Sequence, residues 1–243
     1  MKMRKFFLTT ALALSAGASL NFSGPAMADF DVSPAVASGK IVTNAFADAT
    51  GETIGNVRVF GFEFGEDPLD PFFLEDPGFH PLPGTGVPGN TPFSAKSFSP
   101  LSYWTGSAFG ALPADETLVV TRGSTTITLG NTGDPGPVVI ETTDSDGEFD
   151  EHLNSTLDGA GSADPSAGIY LYSLTLSAPG LIDSDTVYLL FNNEASEEQF
   201  SAAQLYARDT FAPGSTLVPE PSGLAMLALS ACLLKRRRPL AIA

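Results

Sequence analysis

Proline and glycine punctuate this chain so densely that few long regular elements can form between them. The 243 residues include 24 glycines and 19 prolines. They follow no G-X-Y period, which excludes a collagen-like rod. Seven prolines (68, 71, 77, 81, 83, 88 and 92) fall between positions 65 and 92. A proline lacks the N–H donor that a helix interior or a central strand needs, so this stretch is expected to be a long loop. Loops of that length in compact domains are usually functional or mobile, and this one sets carboxylates beside Phe72, Phe73 and Phe79. The plainer alternative is a surface loop pinned by its phenylalanines.

Between the breaks the pattern is that of short strands. Val57, Val59, Phe60, Phe62 and Phe64 form an apolar run around Arg58 and Glu63. Thr117–Thr121 and Ser124–Leu129 read as a hairpin with Arg122-Gly123 at its tip, and Val138–Thr142 as a strand after the Asp134-Pro135-Gly136-Pro137 turn. Ile169–Ser177 alternates, with Tyr170, Tyr172, Leu174 and Leu176 on the face expected to be buried. Thr186–Phe191 is continuously apolar, as in a central strand. Ser196 with Gln199 has capping-box form, and Phe200, Ala203 and Ala207 recur at helical spacing, predicting one helix over 197–209. Short strands with Gly/Pro/Asp turns predict a mainly β chain: a single β-sandwich or jelly-roll-like domain over 29–214, with one short C-terminal helix. Hydrophobic residues make up 43% and charged residues 16%, too apolar a balance for a wholly disordered chain.

The two ends read as addresses. Lys2, Arg4 and Lys5 precede an apolar stretch from Phe6 to Leu20, and Ala26 and Ala28 offer small residues just before Asp29. This is the pattern of a secretory signal peptide over 1–28, cleaved after Ala28 by signal peptidase. An uncleaved anchor is the alternative, but Asn21, Ser23, Gly24 and Pro25 break the apolar run early. At the other end, Val218-Pro219-Glu220-Pro221-Ser222 is followed by the apolar run 223–234 and by Lys235-Arg236-Arg237-Arg238. As a helix, that run reaches about 18 Å, short of the roughly 30 Å hydrocarbon core, so the expected C-terminal transmembrane helix is a marginal one. The basic cluster reads as a cytoplasmic membrane stop.

This tail resembles the PEP-CTERM sorting signal, in which a Pro-Glu-Pro motif, a short hydrophobic helix and a basic stop follow one another. The likeness covers residues 218–238, and the sorting segment is assigned to 215–238. It implies export across the inner membrane, transient anchoring there, recognition by an exosortase, and a bacterium that makes exopolysaccharide. Phe62-Glu63-Phe64-Gly65-Glu66-Asp67-Pro68, Asp76-Pro77-Gly78-Phe79, Gly168-Ile169-Tyr170-Leu171 and Phe191-Asn192-Asn193 are similar to segments of uncharacterised PEP-CTERM ectodomains. That similarity implies a shared fold and no particular activity.

Charge narrows the partners. The whole chain has a net charge of −16. Residues 29–218 keep five basic residues against 27 acids, a net of −22. Such a surface excludes sequence-independent nucleic-acid binding and attracts divalent cations. The single cysteine, Cys232, rules out an internal disulfide.

The densest polar cluster is Asp144-Ser145-Asp146-Gly147-Glu148-Phe149-Asp150-Glu151-His152. With Gly147 at the sixth position of an EF-hand loop, Thr142 and Leu153 fall where acids are required, so that motif fails. Calcium can still bind a non-EF loop, and Asp144, Asp146, Glu148, Asp150 and His152 are its candidate ligands. As a strand, 148–154 would put Glu148, Asp150, His152 and Asn154 on one face. A solvated acidic turn is the alternative. Trp104, the only tryptophan, is the candidate for stacking on a sugar ring, against the commoner role of a core anchor. No catalytic residues are identified. There is no Gly-x-Ser-x-Gly motif and no phosphate-cradling loop, and Glu63, in an otherwise apolar strand, is the one acid that draws attention. The expectation is a non-enzymatic exported surface or matrix component associated with exopolysaccharide. A carbohydrate- or calcium-binding module is the alternative, and a glycan-processing enzyme the third reading.

Overall fold

The structure is a computed structural model that describes residues 30–65 and 67–218. Ala26, Ala28 and Asp29, the motif residues Pro219 to Ser222, the apolar run 223–234 and the basic stop Lys235–Arg238 lie outside the described residues. Val218 lies inside them and packs, partly buried, against the main core. Among the described residues no helix is long and apolar enough to cross a membrane.

The chain is mainly β with one α-helix. Where the pattern predicted one sandwich, the strands sort into three hydrogen-bonded sheets. The first contains β1 (Asp31–Ala37), β2 (Lys40–Ala47), β3 (Glu52–Ile54), β6 (Gly78–Phe79) and β13 (Glu151–His152), in the order β13-β6-β1-β2-β3. A four-stranded sheet joins β5 (Phe73–Leu74), β10 (Thr117–Arg122), β11 (Thr125–Leu129) and β14 (Asn154–Asp158). The third has seven strands. Its path is β12 (Val138–Thr142), β7 (Pro92–Lys96), β15 (Gly168–Ser177), β16 (Val187–Asn193) and β4 (Val59–Glu63), with β8 (Ser102–Trp104) paired to β15 and β9 (Phe109–Gly110) paired to β8.

The seven-stranded sheet buries both faces over β4, β15 and β16. Phe60, Phe62, Tyr170, Tyr172, Leu189 and Phe191 point into the main core, where Tyr172 stacks on Phe191 at 5.5 Å. Val59, Ile169, Leu171 and Leu190 point the other way, against α1 (Glu197–Phe211). The alternation in β15 therefore identified one buried face correctly. It left Ile169 and Leu171 on the exposed face, although the helix covers them. The capping box at Ser196 and Gln199 forms, and Phe200, Ala203 and Ala207 are the buried helix residues. Close approach is possible because β4 carries Gly61: a Cβ there would strike Gln204 and lie 2.7 Å from the Phe200 ring.

Turns are closed by a recurring device. Asp67, Asp76 and Asp134 each precede a proline, and each carboxylate accepts the backbone N–H two residues on, from Leu69 (2.8 Å), Gly78 (3.1 Å) and Gly136 (2.7 Å). The side chain thereby satisfies a backbone donor in a tight bend. The repeated Asp-Pro of the proline-rich stretch is this turn used twice. That stretch is more than a loop. Two of its residues, Gly78 and Phe79, form β6 between β1 and β13, so the prolines limit the strand's length without keeping it out of the sheet interior.

Candidate metal centre

The first sheet builds the site by register. Val32 of β1 lies opposite Phe79 of β6, and Gly78 lies opposite His152 of β13. Asp31 and His152 thus flank Gly78 on the same face of the sheet. A Cβ on Gly78 would collide with the Asp31 carboxylate and come within 2.9 Å of the His152 ring. Only glycine leaves room for these two side chains to meet over the strand. Asp48 follows the last residue of β2, and His80 follows the last residue of β6. Asp76 precedes β6 and Asp150 precedes β13.

Two sets of ligand atoms result. Asp31, Asp48, His80 and Asp150 each place one within 4.8 Å of the others, and so do Asp31, Asp76 and His152. Asp31 belongs to both and is only 5% exposed. Among the described residues no donor reaches its carboxylate: no hydrogen bond is made to it, and no ion pair within 4 Å. Burial therefore pushes the Asp31 carboxyl up to about 6, with His152 opposing and Asp48, Asp76 and Asp150 adding to the rise. The His80 Nδ1 stands 3.3 Å from an Asp48 oxygen but out of line for a hydrogen bond, so this nitrogen is buried without a hydrogen-bond partner. The Phe46 ring fixes His80 edge-to-face at 5.0 Å.

His152 is held differently. Its Nδ1 lies 2.6 Å from the Glu75 carbonyl. A carbonyl only accepts, so Nδ1 carries the hydrogen and Nε2 is the nitrogen left for other contacts. Nε2 lies 3.8 Å from Asp150. The Asp76 carboxylate, 3.6 Å from Nδ1, is the main reason the His152 imidazolium is stabilised up to about 9. Burial opposes it, and the Glu75 carbonyl and Asp31 assist. Orientation of a histidine through a backbone carbonyl is the usual outer-shell support of an imidazole ligand.

A cleft opens on each set. One of about 430 Å³ is lined by His80 and Asp150, together with Asp144 and Glu148. The other, of about 580 Å³, is lined by Asp76 and His152, with Arg122 in its wall. Arg122 is already committed to Glu141 (2.9 Å) and Glu151 (2.7 Å).

Of the ligands expected from the 144–152 stretch, the structure brings Asp150 and His152 to this centre and leaves Asp144, Asp146 and Glu148 outside both sets. The Asp144 carboxylate accepts the N–H groups of Asp146 (2.8 Å) and Glu148 (2.9 Å), which hold it below the ordinary carboxylate range. Its task is to close a turn. That turn packs against the proline-rich stretch, where Asn90 donates to the Thr143 and Asp144 carbonyls. The strand considered over 148–154 forms only in part. Only Glu151–His152 and Asn154 onward are extended in a sheet. Trp104 is 8% exposed and lies 5.1 Å from Phe109 and 5.2 Å from Tyr206, ring centre to ring centre. It packs in the helix-side core, and its remaining surface lines a cleft of about 330 Å³ with Tyr103 and Gln199. Glu63 accepts a hydrogen bond from Asn192 at 3.0 Å.

Asp31, Asp48, Asp76 and His80 were not picked out from the sequence as ligands. The available signal was that the chain has only two histidines, one of them inside the proline-rich stretch beside the second Asp-Pro repeat. No family model, curated protein or solved structure matches this chain.

Proposed function

We propose that this chain is an exported, sandwich-like β domain that acts without catalysis at the cell surface or in the exopolysaccharide matrix, and that it binds a divalent cation at the Asp31 centre. The observation that carries the binding reading is Asp31 itself. Among the described residues this buried carboxylate accepts no hydrogen bond, and the positive group beside it is the His152 imidazolium, whose proton a divalent ion would displace. The buried Nδ1 of His80 is the second ligand without a partner. Imidazole among carboxylates favours a first-row transition ion such as Zn²⁺ or Mn²⁺ over calcium, which prefers an all-oxygen shell. In this reading the calcium expected at Asp144, Asp146, Glu148, Asp150 and His152 gives way to a transition ion whose ligands include only Asp150 and His152 of that set. A bound cation would tie β1, β2, β6 and β13 together, which suits a domain that has no disulfide to staple it.

Calorimetric titration of the chelator-treated protein with Mn²⁺, Zn²⁺ and Ca²⁺ tests the binding. Saturable heat with Mn²⁺ or Zn²⁺, absent in Asp31→Asn, is expected. Salt-screened, unsaturable heat with all three would overturn it. The destination rests on the signal-peptide pattern and the Pro-Glu-Pro tail, with exosortase and signal peptidase as the processing partners. Combined Pro219→Ala and Glu220→Ala should block processing of the tail in cells. Unchanged processing would remove the sorting reading.

A further inference from the structure

Asp31 is shared by the two ligand sets, and a carboxylate has two oxygens with which to serve two ions. Neither oxygen accepts a hydrogen bond among the described residues. Each set has its own imidazole, His80 in one and His152 in the other, and a cleft lies beside each, lined by His80 and Asp150 on one side and by Asp76 and His152 on the other, with Asp31 behind both linings. Asp150, a member of the first set, lies 3.8 Å from His152 of the second, so the two positions adjoin. Asp31, Asp48, Asp76 and Asp150 bring four carboxylates to one place, with Asp31 and Asp76 buried and Asp48 and Asp150 about half exposed. The neighbouring guanidinium of Arg122 pairs with Glu141 and Glu151.

Resting on the reading that the Asp31 centre binds a divalent cation, we infer that it holds a pair of first-row transition-metal ions bridged by the Asp31 carboxylate. Asp48, His80 and Asp150 complete one position, and Asp76 and His152 complete the other. Paired ions in carboxylate-bridged sites lie about 3.5–4 Å apart, close enough for their electron spins to couple.

The test is to strip the full chain with chelator, load it with Mn²⁺, remove the excess by gel filtration, and measure metal content together with the electron paramagnetic resonance spectrum. Two ions per chain are expected, with an exchange-broadened spectrum in place of the six-line signal of an isolated ion. Asp76→Asn and His152→Ala should each retain one ion and restore the six-line signal. One ion per chain with a six-line spectrum in the unaltered protein overturns the pair and leaves the single-cation reading standing. No retained ion overturns both. Two ions that persist uncoupled, or that survive Asp31→Asn, overturn the bridge. The unaltered protein alone decides between one ion and two, so the test does not depend on any variant folding.

Discussion

Asp31 is where this fold spends stability. Its carboxyl is raised to about 6 from an ordinary 3.8. Between those values the folded chain keeps a proton that the unfolded chain has released. Stability of the metal-free protein therefore falls as pH rises from about 4 to 6, by an amount on the order of 1–3 kcal/mol. His152 acts over a higher window. Its imidazolium is favoured up to about 9, so its contribution is complete below pH 6.5 and is lost as pH rises through about 9. Metal-free melting temperature followed from pH 4 to pH 9.5 should decline in both windows. A flat profile would mean that neither group is perturbed. Gly78→Ala is a sharper structural probe, because its Cβ would occupy the place of the Asp31 carboxylate. Cation-dependent stabilisation should disappear in that variant, and retained stabilisation would show that Asp31 can move aside. These residues were hard to read from the sequence because they come from separate stretches and meet only through register. A linear scan rewards local density, which is why 144–152 stood out and Asp31, alone at the start of a strand, did not.

At the scale of elements, local pattern was legible wherever one partner sufficed to decide it. The hairpin β10–β11, the strand β12 and the capped helix follow from alternation, turn residues and caps within a few positions of one another. Burial of Ile169 and Leu171 depends on a helix later in the chain, and β6 depends on two neighbours that no local signal names. The helix is held by packing on Val59, Ile169 and Leu190 more than by its own propensity. Phe200→Ala should cost about 3–5 kcal/mol in denaturant unfolding, and a loss below about 1 kcal/mol would mean the helix contributes little to the fold. Gly61→Ala should also destabilise, since both Gln204 and the Phe200 ring must give way.

Across the described residues, three sheets around a main apolar core and a second core under the helix provide stability, and the edge where β6 and β13 are two residues each carries the cluster of charges. Class and composition were legible from the whole chain: mainly β, acidic, with a single short helix among the described residues. The centre's ligands required the folded arrangement. Removing a bound ion should loosen the first sheet selectively, seen as faster amide exchange in β1, β6 and β13 than in β15 and β16. Uniform exchange after chelation would place the ion elsewhere. The most direct measurement is the melting temperature of the metal-free protein at pH 8 beside that of Asp31→Asn, each with and without Mn²⁺. If the carboxylate is kept for a cation, the metal-free variant melts higher than the unaltered protein, because its buried charge is gone, while Mn²⁺ raises only the unaltered protein. If Asp31→Asn melts lower and Mn²⁺ raises neither, Asp31 is part of the fold's own support and the metal centre is wrong.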